Sequence, residues 1–151
     1  MANFRFKLEP VLRHRCLIED ECQRELAKAL RHQLILRGQL RQMQQTIVES
    51  KRRLGDGLIG RVNLDQIAQF ARYSGQVTQR AHGIVARLAA AEKQIQTARE
   101  RLLHAARDRK ALELLRDRQH RRWQEMQGRR EAASMDELAV QGFARLALGD
   151  L

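Results

Sequence analysis

Between Ile67 and Met126 the apolar residues of this chain recur after three residues, then four, then three again, for eight heptads. The positions are Ile67, Phe70, Ser74, Val77, Ala81, Ile84, Leu88, Ala91, Ile95, Ala98, Leu102, Ala105, Arg109, Leu112, Arg116, Gln119, Trp123 and Met126, and fourteen of the eighteen are apolar. The residues between them are largely Arg, Gln, Glu and Lys. A mean repeat of 3.5 residues keeps one stripe of a helix turned towards another helix as the two supercoil. A chain that holds this pattern for so long folds as helix on helix.

Little else in the chain competes with that outcome. A single proline leaves almost nothing to break a helix. With 31% charged and 4% aromatic residues, the composition does not favour a sheet. The length of 151 residues predicts one domain. A helix pair buries a narrow seam rather than a three-dimensional core. Each well-buried seam Leu or Ile contributes roughly 1.5–3 kcal/mol, against roughly 1–2 kcal/mol per residue for ordering the backbone. The expected result is a marginal monomer that gains stability from a partner.

A weaker stripe precedes the first: Leu12, Arg15, Glu19, Cys22, Leu26, Ala29, Gln33, Leu36, Leu40, Met43, Ile47, Ser50 and Leu54, nine of thirteen apolar. Pro10 suits a first helical turn, where its missing N–H costs nothing. Lys51, Arg52 and Arg53 suit the negative end of the helix dipole, and Gly55 stands at the left-handed cap position. Gly55-Asp56-Gly57 and Gly60 form the turn-rich segment. Asn63 and Gln66 have the spacing of a capping box, and Val62 and Ile67 that of a hydrophobic staple. The expectation is an all-α, single coiled-coil domain over 1–151: helix 10–54, turn 55–62, helix 63–138 and a frayed tail 139–151.

A short loop between two heptad helices sets them antiparallel, as a coiled-coil hairpin. The turn then predicts partners whose numbers total about 118, so that Leu54 faces residue 64 and Leu12 faces about residue 106. The first arm is roughly 65 Å long and the second more than about 100 Å at 1.5 Å per residue. The C-terminal part is therefore expected to overhang. Phe4, Phe6 and Leu8 extend cover over Leu112 and Leu115, with nothing left to cover Trp123 and Met126. An exposed apolar row of this kind marks a contact surface.

The net charge of +11 points to acidic partners, with the basic residues spread along the helices as pairs such as Arg52–Arg53, Arg121–Arg122 and Arg129–Arg130. Cys16 and Cys22 lie six residues apart, on different helix faces, and do not share a metal. The first residues lack the apolar core of a secretory leader, and no stretch reaches the length of a membrane span, which together predict a cytoplasmic protein. His14, His32, His82, His104 and His120 are never three or four apart, so no helical metal pair forms. No phosphate-binding loop or nucleophile motif occurs. No catalytic residue, cofactor or metal is expected, since two helices offer no pocket to dehydrate a reaction.

Three segments resemble the FliJ family of bacterial flagellar export proteins. Phe4-Arg5-Phe6-Lys7-Leu8-Glu9-Pro10-Val11-Leu12 is similar to its Phe-x-Phe-x-Leu-x-x-Val-Leu start. The Gly-Asp-Gly turn followed by Asn63-Leu64-Asp65-Gln66-Ile67 resembles its hairpin. The Arg-rich stretch from Arg116 to Arg130, followed by Met135-Asp136-Glu137-Leu138-Ala139, resembles its charged C-terminal helix and Asp-Glu-x-Ala ending. The resemblance implies a non-enzymatic stalk of the flagellar type III secretion and export apparatus, akin to the gamma subunit of rotary ATP synthases. It further implies motility as the process, with the protein at the flagellar base, peripheral to the inner membrane.

Implied partners are the hexameric export ATPase FliI with its regulator FliH, the cytoplasmic domain of the export gate FlhA, and export chaperones. The ring-facing residues implied are Arg116, Arg121, Arg122, Trp123, Met126, Arg129 and Arg130, the segment that the register argument leaves open. The gate-facing residues implied are Gln39, Gln42 and Thr46 on the first helix, and Ile67, Phe70, Ala71, Tyr73, Ser74 and Thr78 on the second. Better-known relatives carry aromatics on the first-helix side, whereas here Phe70 and Tyr73 supply them from the other arm. Two other readings share the fold: the stalk of a virulence-type secretion system, and a basic coiled coil binding nucleic acid. The absence of a dense basic run and of an aromatic stacking surface argues against the latter.

Overall fold

The computed structural model describes residues 3–149, which form two helices, α1 (Glu9–Gly57) and α2 (Leu64–Gly149), packed on each other as a helical hairpin. The chain enters α1 through a turn in which Glu9 N–H donates to Phe6 O (3.2 Å) and Leu12 N–H to Leu8 O (2.9 Å). Pro10 therefore sits in the first turn, where no donor is missed. At the start of α2, Asn63 Oδ1 accepts from Asp65 N–H at 3.0 Å, the bond expected of an N-cap. Gln66 does not complete a box: its Oε1 lies beside Gly57, 3.7 Å from where a Cβ there would stand.

Two compact units divide the hairpin, one of residues Glu19–His104, the other of residues up to Ile18 with those from Ala105 onward. Inside the first, Leu36, Ile84 and Ala91 are the buried centre, with Leu40, Met43 and Leu88 packed against them. Val77, Ile95 and Ala98 are also buried. Inside the second, Phe6, Leu12 and Ala105 are buried. Every seam position expected on α1, from Leu12 to Leu54, is shielded at least in part. The same holds on α2 from Ile67 to Arg116.

The register differs from the expected one by about a heptad. Arg15 pairs with Asp108 at 3.0 Å and Glu25 with Arg101 at 3.6 Å, and Gln33 Nε2 donates to Glu92 Oε2 at 2.7 Å. Partners totalling about 118 would have placed those three opposite about residues 103, 93 and 85. A slide of seven residues leaves an apolar stripe superimposed on itself, so the stripe cannot discriminate between the two alignments. Polar groups can. Gln33 is 9% exposed, and a buried amide without a partner costs roughly 1–3 kcal/mol. The observed alignment gives it Glu92, and among the described residues no buried side-chain polar atom lacks a partner.

The turn moves in the same sense. α1 does not stop at Leu54 but continues through Gly55 to Gly57, so Lys51, Arg52 and Arg53 precede the last turn and Gly55 is not the cap. Gly60, with φ of +118°, takes the reversal, a conformation that L side chains rarely adopt. The second arm also differs: it stays helical to Gly149, where an end near 138 and a frayed tail were expected.

Two pairs of variants test this account by chemical denaturation. Gly60→Ala is expected to destabilise by about 1–3 kcal/mol through the backbone strain it introduces, while Gly55→Ala stabilises by about 0.8–1 kcal/mol because it is helical with open space at its Cβ. Opposite signs would return the cap to Gly55. Glu92→Leu alone is expected to cost about 1–3 kcal/mol by stranding the Gln33 amide. Adding Gln33→Leu should restore stability but admit a second register, visible as a second distance between spin labels on the two arms.

Candidate functional site

Near the turn, α1 and α2 leave a surface groove of about 580 Å³ between them. Met43, Val77 and Ile84 give it an apolar floor, while Gln39, Gln42 and Thr46 line the α1 wall. Tyr73, Arg80 and Arg87 line the α2 wall, where Gly83 adds no side chain. Four of the expected gate-facing residues, Gln39, Gln42, Thr46 and Tyr73, thus share one cleft. Ile67, Phe70 and Ser74 are instead half-buried in the seam, and Ala71 and Thr78 are exposed outside the groove lining.

The chemistry of this groove is directional. Thr46 Oγ1 donates to Gln42 O (2.9 Å), so its hydroxyl proton is committed to its own helix. The Gln39 and Gln42 amides, the Tyr73 hydroxyl and the two guanidinium groups supply the remaining donors, and no carboxylate lines the cleft. Such a surface receives apolar side chains flanked by acidic ones. Arg80 and Arg87 were not among the expected site residues. Their seven-residue spacing, flanking the seam, was the available signal.

The second region lies at the other end of α2. Beyond Arg116 the shielded positions are His120, Trp123 and Gln127, not Gln119, Trp123 and Met126. The cause is the loss of a helical partner. Residues 3–8 are not helical, so nothing imposes the 3.5-residue repeat and α2 reverts to its own 3.6. Phe4 folds onto this face, its ring centroid 5.0 Å from His120 edge-on and 6.0 Å from Trp123. His120 and Trp123 stack at 6.0 Å with 20° between planes. Trp123 is therefore not uncovered as expected: the N-terminal segment reaches further than Leu115.

Of the expected ring-facing residues, Arg116 is half-buried and borders a groove of about 790 Å³ with Phe4, Phe6, Pro10 and Arg13. Its nearest carboxylate is Asp117 at 3.9 Å. Trp123 is half-covered, while Arg121, Arg122, Met126, Arg129 and Arg130 are exposed. Arg109, on the seam, pairs with Glu113 at 2.7 Å. From Gly128 to Gly149 every residue is exposed, so the bare stretch of helix begins about twelve residues later than Arg116. Among the described residues no group of His, Cys, Asp and Glu has the arrangement to hold a metal ion. No described helix is long and apolar enough to cross a membrane.

The family profile described as "Flagellar FliJ protein" matches residues 4–147, nearly the whole chain. No curated protein and no solved structure matches it.

Trp123 is the sole tryptophan and so reports on its own cover. Phe4→Ala is expected to shift its emission to the red and to cost about 0.5–1.5 kcal/mol in thermal unfolding from the lost ring contacts. An unchanged spectrum would show that Phe4 does not shield the indole.

Proposed function

Because the chain belongs to the FliJ family of flagellar proteins, a non-catalytic component of type III export, we propose that it is the stalk of that apparatus. In this reading the Arg-rich end of α2 inserts into the hexameric export ATPase FliI, beside its regulator FliH. The groove near the turn engages the cytoplasmic domain of the export gate FlhA, and unloaded export chaperones are escorted by the same protein. Its place is the cytoplasmic side of the inner membrane at the flagellar base.

The observation that carries the proposal is the family match over residues 4–147 on a pair of helices of the kind expected for a stalk. Local chemistry supports the two contacts separately. Arg121, Arg122, Met126, Arg129 and Arg130 stand exposed and, apart from the half-covered Trp123 beside them, form a surface of the residue types that dominate binding energy. The groove near the turn offers amides and guanidinium groups over an apolar floor, which fits an acidic-apolar segment of a gate. The mechanism is mechanical. A ring that grips one end of a helix pair and a gate that grips another part are coupled only through the helices between them, with no chemistry performed by the chain.

Two sets of variants separate the contacts. Arg121→Ala with Arg122→Ala and Met126→Ala is expected to weaken binding to the export ATPase and its stimulation about 5- to 30-fold, the loss of one or two kcal/mol of hot-spot contact. Helicity by circular dichroism should stay intact. Gln42→Ala with Tyr73→Ala should leave that stimulation unchanged and weaken capture of the gate domain. Full stimulation by the first variant would remove the ring contact from this segment.

A further inference from the structure

Two surfaces of the chain remain without a partner, and they complement each other. One is the outer face of α1, opposite the seam, where Arg31, Leu34, Gly38, Arg41, Gln45 and Val48 follow each other at three- and four-residue spacing. All six are exposed, Leu34 and Val48 to 65% and 66%. Between Glu25 and Glu49 α1 contains no acidic residue, while Lys28, Arg31, Arg37 and Arg41 are basic. None of these four cations has an ion-pair partner among the described residues. Gly38 leaves a gap in the middle of the face, with nothing within 4 Å of where its Cβ would stand.

The other surface is the end of α2. From Glu131 to Leu148 the helix contains three acidic residues and a single basic one, in a chain of net charge +11. Met135, Leu138, Ala139, Phe143 and Leu146 fall at the spacing of one amphipathic face, with Phe143 exposed to 80%. On a helix turning 100° per residue this face is rotated by roughly 110–130° from the one that carries Trp123 and Gln127. The tail is therefore not an extension of the seam, and covering Trp123 leaves it bare. Glu131 and Asp136 are exposed on either side of it, without an ion-pair partner among the described residues.

We infer that the acidic C-terminal helix, residues 131–148, docks on the acid-free outer face of α1, residues 31–48, of a second copy of this chain. Each segment runs for about 26 Å of helix at 1.5 Å per residue, so the lengths match. Apolar side chains spaced along both segments meet, Phe143 has the Gly38 gap to enter, and Glu131 and Asp136, which flank the apolar face, stand against arginines that have no carboxylate of their own. The pairing is independent of the export reading above, since it uses neither the groove near the turn nor the Arg116–Arg130 segment.

Sedimentation velocity of the full chain tests it. The expected result is self-association that grows with protein concentration and weakens as salt rises from about 0.1 to about 1 M, which shortens the screening length from roughly 10 Å to roughly 3 Å. Arg31→Glu with Arg41→Glu should weaken it about three- to ten-fold, the range for a pair of exposed ion contacts turned repulsive. Glu131→Arg with Asp136→Arg should do the same. An equimolar mixture of the two variants should associate again, because each reversed surface then meets its complement. Helicity of every variant by circular dichroism controls for folding. A monomer at all concentrations would overturn the inference and assign both surfaces to other proteins. Self-association indifferent to either reversal, or not recovered in the mixture, would overturn the pairing itself.

Discussion

A seam that repeats every seven residues holds two helices together without saying where along each other they sit. The hydrogen bond from Gln33 to Glu92 supplies that missing information. Sliding the arms by one heptad returns every Leu, Ile and Ala to an equivalent neighbour, so burial changes little. It removes the carboxylate from the one buried side-chain amide among the described residues, at a cost of roughly 1–3 kcal/mol. The ion pairs of Arg15 with Asp108 and Glu25 with Arg101 agree with the same alignment, but their side chains are 42–65% exposed. Pairs of that kind contribute about 0–1 kcal/mol each. Register therefore depends on a single shielded polar contact, together with the glycine that turns the chain at positive φ.

The placement of both candidate surfaces follows from how long helical pairing lasts. While α1 accompanies α2, the 3.5-residue repeat is enforced and the seam stays on one line. Once the partner is the non-helical segment ahead of Glu9, α2 follows its own period, and His120 and Gln127 replace Gln119 and Met126 under cover. This small change of phase is what turns Met126 outwards while Trp123 stays beneath Phe4. Beyond Gln127 no cover remains, and side chains are sorted by the amphipathic pattern of the helix alone.

Heptads are read off a sequence with ease because they are local, and both stripes and the cap at Asn63 were legible for that reason. What was not legible depends on comparing alternatives of similar energy. The alignment of the arms was misplaced by about a heptad because glycines at 55, 57 and 60 all suit a turn and only Gly60 adopts the strained φ. Trp123 was expected to be bare for the same reason: partners totalling about 118 put Phe4 opposite about residue 114, whereas the observed alignment, totalling about 125, puts it opposite about residue 121, beside His120 and Trp123. The tail, expected to fray beyond 138, instead continues α2 to Gly149, with no proline to interrupt it. Arg80 and Arg87 are charges beside a seam, a pattern shared by any solvated helix face, and the groove between the arms is what sets them apart.

The alanines of α2 limit what the helix pair contributes to its own stability. Ala81, Ala91, Ala98 and Ala105 occupy seam positions that larger residues fill elsewhere. They let α1 approach closely but bury little apolar area, so each layer contributes less than a Leu or Ile layer would. A pair of helices also lacks the second and third dimension of contacts by which a globular core shares strain. Each layer is stabilised mainly by its immediate neighbours, much as in a repeat protein. A partner that grips one set of layers stabilises those layers and transmits little through packing alone. Coupling between distant contacts then falls to the continuity of the backbone helices, and α2 runs unbroken from Leu64 to Gly149 past every candidate surface described.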